Sequence, residues 1–259
     1  MNPPTRRPDP VFAELDACGL NLQAVFDVQQ LPDDVRKALP PDAQERYRQL
    51  LLIGNLGPTF WQHATANGLR GEHPLDAFTR ARVVAWLDRH FPGVRHEWLY
   101  PGERLVGLQS LGRLAGWHRP SPFMVGVNEA WGSWFAYRAA LLADTGLART
   151  EPLAGASPCE RCVDRPCVAA CPPRALHGGF DLAACSGWRL APGSSCRGQC
   201  LARIACPVGT RHRYDTAQIA YHYARSLATL ARNAPGPVHA ADAPRVSRRR
   251  SGIDQKGIA

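Results

Sequence analysis

Lysine is almost missing from this chain: Lys37 and Lys256 are the only two among 259 residues. Nearly all of the positive charge behind a formal net charge of +9 is therefore arginine. Such a balance admits a nucleic-acid partner, set against a solvated basic surface and a basic tail around Arg248–Arg250. Long apolar runs are also missing. The stretch 50–53 is far short of the ~20 residues that a spanning helix needs, so no membrane partner is expected. The opening MNPPTRRPDP carries arginines but no apolar h-region and no small-residue cleavage site, so no signal peptide is read. The expected location is the cytoplasm, where thiols stay reduced and clustered cysteines serve as metal ligands rather than disulfides. There is no P-loop, no G-x-G-x-x-G and no G-x-S-x-G, which removes support for hydrolases and nucleotide-hydrolysing enzymes. His63, His73, His90, His96 and His118 are scattered without metal spacing, and His177 near the cysteines reads as a polar loop residue.

Cysteine, by contrast, is crowded. Of nine, Cys18 stands alone and eight lie between Cys159 and Cys206. The first half reads Cys159-x2-Cys162-x4-Cys167-x3-Cys171-Pro172. The second reads Cys185-x10-Cys196-x3-Cys200-x5-Cys206-Pro207. A cubane cluster needs four thiolates converging from different directions, and short spacings let a looping backbone supply three of them. In two-cluster ferredoxins the fourth cysteine, just before a proline, serves the other cluster. Both halves end in Cys-Pro. The swap assigns Cys159, Cys162, Cys167 and Cys206 to one [4Fe–4S] cluster and Cys171, Cys185, Cys196 and Cys200 to the other. Two Cys₄ zinc sites are the alternative, in a zinc-stabilised nucleic-acid-binding module. Two [4Fe–4S]²⁺ clusters on eight thiolates would bring the net charge to about +5. Arg161, Arg165, Arg174, Arg197 and Arg203 interleave with the cysteines, where cations raise a cluster's potential.

Apolar residues make up 45% of the chain, enough for a core without staples. Residues 1–10 read as a disordered N-terminus and 11–152 as an α/β domain. A ferredoxin-type two-cluster module follows at 153–212, then a docking helix at 213–232 and a disordered basic tail at 233–259. Helices are predicted over 32–39, 41–49, 74–90 and 105–115, and strands over 21–28, 50–53, 94–99 and 123–127. The stretch 131–142 is apolar and aromatic-rich, and its period does not separate strand from helix. Alternating strands and helices predict an α+β fold with a mixed sheet covered by helices. Asp215 is placed as an N-cap with Gln218 three residues on, and Ile219, Tyr223, Leu227 and Leu230 form the apolar stripe of the last helix.

The stretch from Ala115 to Cys206 resembles the epoxyqueuosine reductase family. The matching residues are Gly116-Trp117, Gly132-Ser133-Trp134-Phe135 and Leu141-Leu142-Ala143-Asp144, leading into cysteines in the order four, one, three. Residues 51–57 and 74–91 are similar to wider relatives that process cobalamin. The resemblance implies a nitroreductase-like N-terminal part, cobalamin as a second cofactor, and a ferredoxin-like module passing electrons to it in an oxidoreductase. It implies Trp117, Asn128, Trp134, Tyr137 and Arg138 as the lining of the corrinoid pocket. Its implied partners are electron donor and acceptor proteins, and tRNA or a corrinoid. The family's proton-donating aspartate belongs upstream of Gly116. Here that region reads Glu97-Trp98-Leu99-Tyr100-Pro101-Gly102-Glu103, with no aspartate; Glu103 is a candidate substitute, set against a solvated surface glutamate, and the catalytic residue is left unassigned. The cysteine spacings are longer than the family's, and no room is left for the helical repeats that help some members hold tRNA.

Overall fold

The computed structural model describes residues 9–233. The tails expected at 1–10 and 233–259 fall outside them, save residues 9, 10 and 233. In chain order, α1 (Ala13–Ala17) leads into β1 (Leu22–Asp27), and two short helices, α2 (Asp33–Arg36) and α3 (Ala43–Arg46), lead to β2 (Gln49–Leu56). Next come α4 (Thr59–Ala66), α5 (Pro74–His90), β3 (His96–Tyr100), α6 (Leu108–Leu114) and β4 (Phe135–Ala143). The cysteine segment holds α7 (Pro166–Ala169), α8 (Leu182–Leu190) and α9 (Leu201–Ala205), and α10 (Thr216–Asn233) follows. Among the described residues no helix is long and apolar enough to cross a membrane.

The four strands form one sheet in the order β1-β2-β4-β3, and every neighbouring pair is antiparallel. This corrects the mixed sheet predicted from alternation of strands and helices. The reason is topological. β2 and β3 do point the same way and are joined through α4 and α5, but β4 inserts between them and turns each contact antiparallel. The α+β class stands.

Strand β2 is buried on both faces, which explains its unbroken apolar run. Leu50 and Leu52 face a core shared with Ala24, Phe26, Leu111, Trp117 and Leu142. Leu51 and Ile53 face the opposite core, with Phe60, Val83, Trp86 and Leu141. Helix α5 begins with Pro74 at its first position and buries Leu75, Thr79, Val83, Trp86 and Leu87 along one side. Trp86 stacks on Phe12 with ring centroids 5.4 Å apart and donates its indole N–H to the Val11 carbonyl at 2.7 Å. The residues 123–127 form a turn, with only Val127 bridging Arg119, instead of the predicted strand. The ambiguous 131–142 stretch is mostly strand β4, and the helix predicted over 41–49 gives way to β2 at Gln49.

A bulge positions the end of the sheet nearest the cysteines. Pairing passes from Ile53↔Ala139 to Gly54↔Tyr137, which leaves Arg138 without a partner residue on β2. A bulge redirects the side chain it carries. Arg138 is thereby turned inward, where its Nε donates to Asn55 Oδ1 at 2.6 Å and its guanidinium lies 4.5 Å from the Phe60 ring centroid.

Candidate functional site

The cysteine segment is built from turns and very short helices. Pro166 opens α7 after Arg165 in the left-handed region (φ 40°), which puts Cys167 in the first turn; Cys171 follows the helix end. Asp181 caps α8 by accepting the Ala184 N–H at 2.9 Å and so holds Cys185 in its middle. The Cys196 N–H donates to Ser194 Oγ at 3.2 Å. Cys200 is itself the N-cap of α9, its sulfur accepting the Arg203 N–H at 3.5 Å, and Cys206 closes the same helix.

These elements sort the eight thiols into two cavities. Cys159, Cys162, Cys167 and Cys206 line one of about 120 Å³, walled by Pro122, Phe123, Pro158 and Val208. Cys171, Cys185, Cys196 and Cys200 line another of about 310 Å³, with Phe123 again in the wall. All nine cysteines are free thiols. Burial, then the neighbouring thiols Cys206, Cys167 and Cys162, push the Cys159 thiol above its ordinary value. The Cys185 thiol is pushed up by burial and then by Cys200, with Arg189 opposing and Cys171 and Cys196 adding. Four sulfurs lining one small cavity make a donor set suited to a strong positive centre, which holds thiolates side by side. The residues therefore fit a thiolate-held cluster. Among the described residues, no three His, Cys, Asp or Glu side chains converge on one point as ligands of a single metal ion.

Three residues of α10 also line the second cavity: His222, Tyr223 and Ser226. Tyr223 and Cys200 thus share one cavity wall. Burial, aided by Arg138, Arg203 and Arg225, lowers His222 to about 3. Sequence reasoning placed Tyr223 on an apolar stripe and missed its role as a cavity wall. The signal available was one polar tip within that stripe. Of the interleaved arginines, Arg161 pairs with Glu129, Arg197 donates to the Leu190 carbonyl at 3.0 Å, and Arg203 bonds Ser133. Arg165 lines the first cavity.

Of the five residues implied for a corrinoid pocket, Trp117, Asn128, Trp134 and Arg138 are buried and Tyr137 is half-buried. Trp117 and Tyr137 stack at 6.4 Å in the first core, where the Tyr137 hydroxyl meets His118 Nδ1 at 3.1 Å. Asn128 ties its own turn together through the Gly116 carbonyl and the Ala130 N–H. Trp134 packs with Tyr214 and Ile219, and Arg138 bonds Asn55. Each is engaged within the protein. Glu103 and His177 are exposed.

No family model matches the chain, and no curated protein sequence does. Solved structures do. Epoxyqueuosine reductase from Bacillus subtilis superposes with a TM-score of 0.52 at 13% identity, over 80% of this chain and 66% of that one. An epoxyqueuosine reductase with a tRNA-Tyr stem loop gives 0.50 at 12% identity, over 81% and 67%. A B12-dependent reductive dehalogenase gives 0.51 at 14% identity, over 88% of this chain and 37% of that one. The chain thus spans about two thirds of the reductases' length and little more than a third of the dehalogenase's. It has an epoxyqueuosine reductase-like fold.

Proposed function

We propose that this chain is an iron–sulfur electron-transfer protein that holds two [4Fe–4S] clusters. Cys159, Cys162, Cys167 and Cys206 bind one, and Cys171, Cys185, Cys196 and Cys200 bind the other. The observation that carries this reading is the sorting of the thiols into two cavities along the crossed partition that the Cys-Pro endings imply. When bound, the clusters supply one-electron redox chemistry. The chain's own part is to hold eight thiolates, cover them with Phe123 and the prolines, and exchange electrons with donor and acceptor proteins.

A second reading is a cobalamin-dependent reductase acting on a modified nucleoside, with tRNA as partner. The likeness in fold to epoxyqueuosine reductases and to a B12-dependent dehalogenase favours it. Trp117, Asn128, Trp134, Tyr137 and Arg138 would be the lining of its corrinoid pocket.

Oxygen-free reconstitution tests the first reading. About eight iron and eight sulfide per chain should be recovered, with a broad sulfur-to-iron absorption that bleaches with dithionite. Zinc without sulfide would overturn it. Cobalamin added at tens of micromolar tests the second reading, and an unchanged corrinoid spectrum would remove it.

A further inference from the structure

We infer that the exposed face of α8 around Trp188 is the docking surface for an acidic one-electron carrier protein, which exchanges electrons with the cluster held by Cys171, Cys185, Cys196 and Cys200. This rests on the two-cluster reading above and deepens it, because it assigns partner exchange to one of the two centres and names the chemistry of the partner.

Helix α8 is mostly apolar in sequence yet buries none of its residues. Leu182 is 63% exposed and Trp188 39%, and Ala183 and Gly187 between them are exposed too. Polar contacts hold the helix instead. Arg189 reaches α10, where its Nη2 donates to the Tyr223 carbonyl at 3.3 Å and its Nη1 to Ser226 Oγ at 3.1 Å. The apolar outer face is thus left free. Trp188 follows Cys185 on the same helix, lines the cavity of the four thiols, and also reaches solvent. Electron transfer slows steeply with distance, and a carrier seated on Trp188 is separated from the cluster space by one side chain.

Charge identifies the partner. Residues 172–206 contain four arginines but one acid, Asp181, whose carboxylate accepts the Ala184 N–H at 2.9 Å. Arg197 is exposed, and its Nη1 donates to the Leu190 carbonyl at 3.0 Å, which sets a cation at the end of α8 just past Trp188. Arg174 is exposed as well and holds φ 56° between Pro173 and Ala175, both in the cavity wall. Among the described residues neither pairs with a carboxylate. An aromatic anchor rimmed by unpaired arginines suits an acidic patch, and a small interface steered by charge suits a carrier that must also leave. The first cavity offers no such excess. Val163 beside it is 93% exposed, but Glu160 and Asp164 balance Arg161 and Arg165, and Arg161 already pairs with Glu129. On docking, the carrier's reduced cofactor loses one electron and the cluster passes from its 2+ to its 1+ state. No bond forms or breaks.

The test is the dissociation constant between the reconstituted full chain and an oxidised, acidic plant-type [2Fe–2S] ferredoxin, used as the probe at low and at physiological ionic strength. Binding should weaken about tenfold across that interval, because rim charges are screened. Trp188→Ala should weaken it about tenfold at low salt, as loss of a central anchor does. Leu182→Ser should act in the same direction, and Arg197→Gln should reduce the salt dependence. Val163→Ser, and Arg104→Gln at an exposed site before α6, should leave binding unchanged. Weaker binding in Val163→Ser with none in Trp188→Ala or Leu182→Ser would place the carrier over the first cavity and overturn the proposal. So would tighter binding of a basic cytochrome c, or a fully loaded wild type that does not bind the ferredoxin. If Trp188→Ala loses iron, Leu182→Ser, outside the cavity wall, decides alone. A wild-type chain without about eight iron would refute the two-cluster reading itself, which separates the two failures.

Discussion

The guanidinium of Arg203 lies 4.6 Å from the ring centroid of Trp134, and its Nη2 donates to the Ser133 carbonyl at 2.5 Å. Arg203 belongs to the helix that Cys200 caps, whereas Ser133 and Trp134 precede the central strand β4. The contact ties the cysteine segment to the sheet. Removing it should release both a cation–π contact and a charge-assisted hydrogen bond, together about 2 kcal/mol. Arg203→Ala should lower the unfolding free energy by that amount, and Arg203→Lys should recover only part of it because lysine lacks the planar fork. Chemical denaturation of the reconstituted protein measures both.

Gly132 makes the same junction from the backbone. It sits at φ 62°, and a Cβ there would stand 2.1 Å from the Val208 carbonyl oxygen. Gly209 answers from the other side, where a Cβ would meet the Trp131 carbonyl carbon at 2.0 Å. Neither backbone can retreat without moving β4 or the end of the cysteine segment. Gly132→Ala should therefore cost about 3 kcal/mol through overpacking and left-handed strain. The denaturation midpoint reads this loss, and a change below about 1 kcal/mol would show that the junction yields.

Much of this was readable from residues alone, for reasons that differ by element. Pro74 at a first helical position and a breaker-free run to His90 mark α5, and its buried stripe was obscured only because Thr79 occupies one of its places. Thr79 fits because its hydroxyl donates to the Leu75 carbonyl at 2.8 Å. The Asp215 cap was legible too, and Asp215 Oδ1 accepts the Gln218 N–H at 2.7 Å. Sheet direction was not legible, because inserting β4 between β2 and β3 is a long-range choice that no local period records. The corrinoid lining was not legible for a related reason: aromatic residues at strand spacing name a buried face without saying whether protein or ligand covers it. The cysteine partition rests on spacing, but which helix walls each cavity depends on where α10 docks.

His222 gives the protein an acid limit. A free imidazole takes up its proton near 6.5, whereas burial and then Arg138, Arg203 and Arg225 hold His222 down to about 3. Between those values the unfolded chain binds a proton that the folded chain refuses. The stability linked to His222 is therefore fully present above pH 6.5 and is lost as the pH falls toward 3. His118 is lowered in the same direction by burial, with Arg113 and Arg119 adding. Unfolding free energies measured from pH 7 to pH 4 should fall with acid in the wild type and less steeply in His222→Gln. Equal slopes would show that His222 is not held neutral.

Cys171 offers the sharpest test of how the sulfurs are shared. By chain position it belongs with Cys159, Cys162 and Cys167, and a simple grouping of each half would lose the first cluster when it is replaced. By cavity it belongs with Cys185, Cys196 and Cys200. Cys206 shows the mirror relation, being late in the chain but lining the first cavity. The crossing follows from the short helices α7 and α9, which pack on each other and send the cysteine just past each helix toward the opposite site. Cys171→Ala should leave about four iron per chain, and so should Cys206→Ala, but the surviving centres should differ. Adding Tyr223→Phe to each variant identifies them. The phenylalanine should alter the spectrum of the centre that survives in Cys206→Ala, which contains Cys200, and leave the Cys171→Ala centre unchanged. The reverse result would mean that each half of the motif binds its own cluster, and the crossed arrangement would fall.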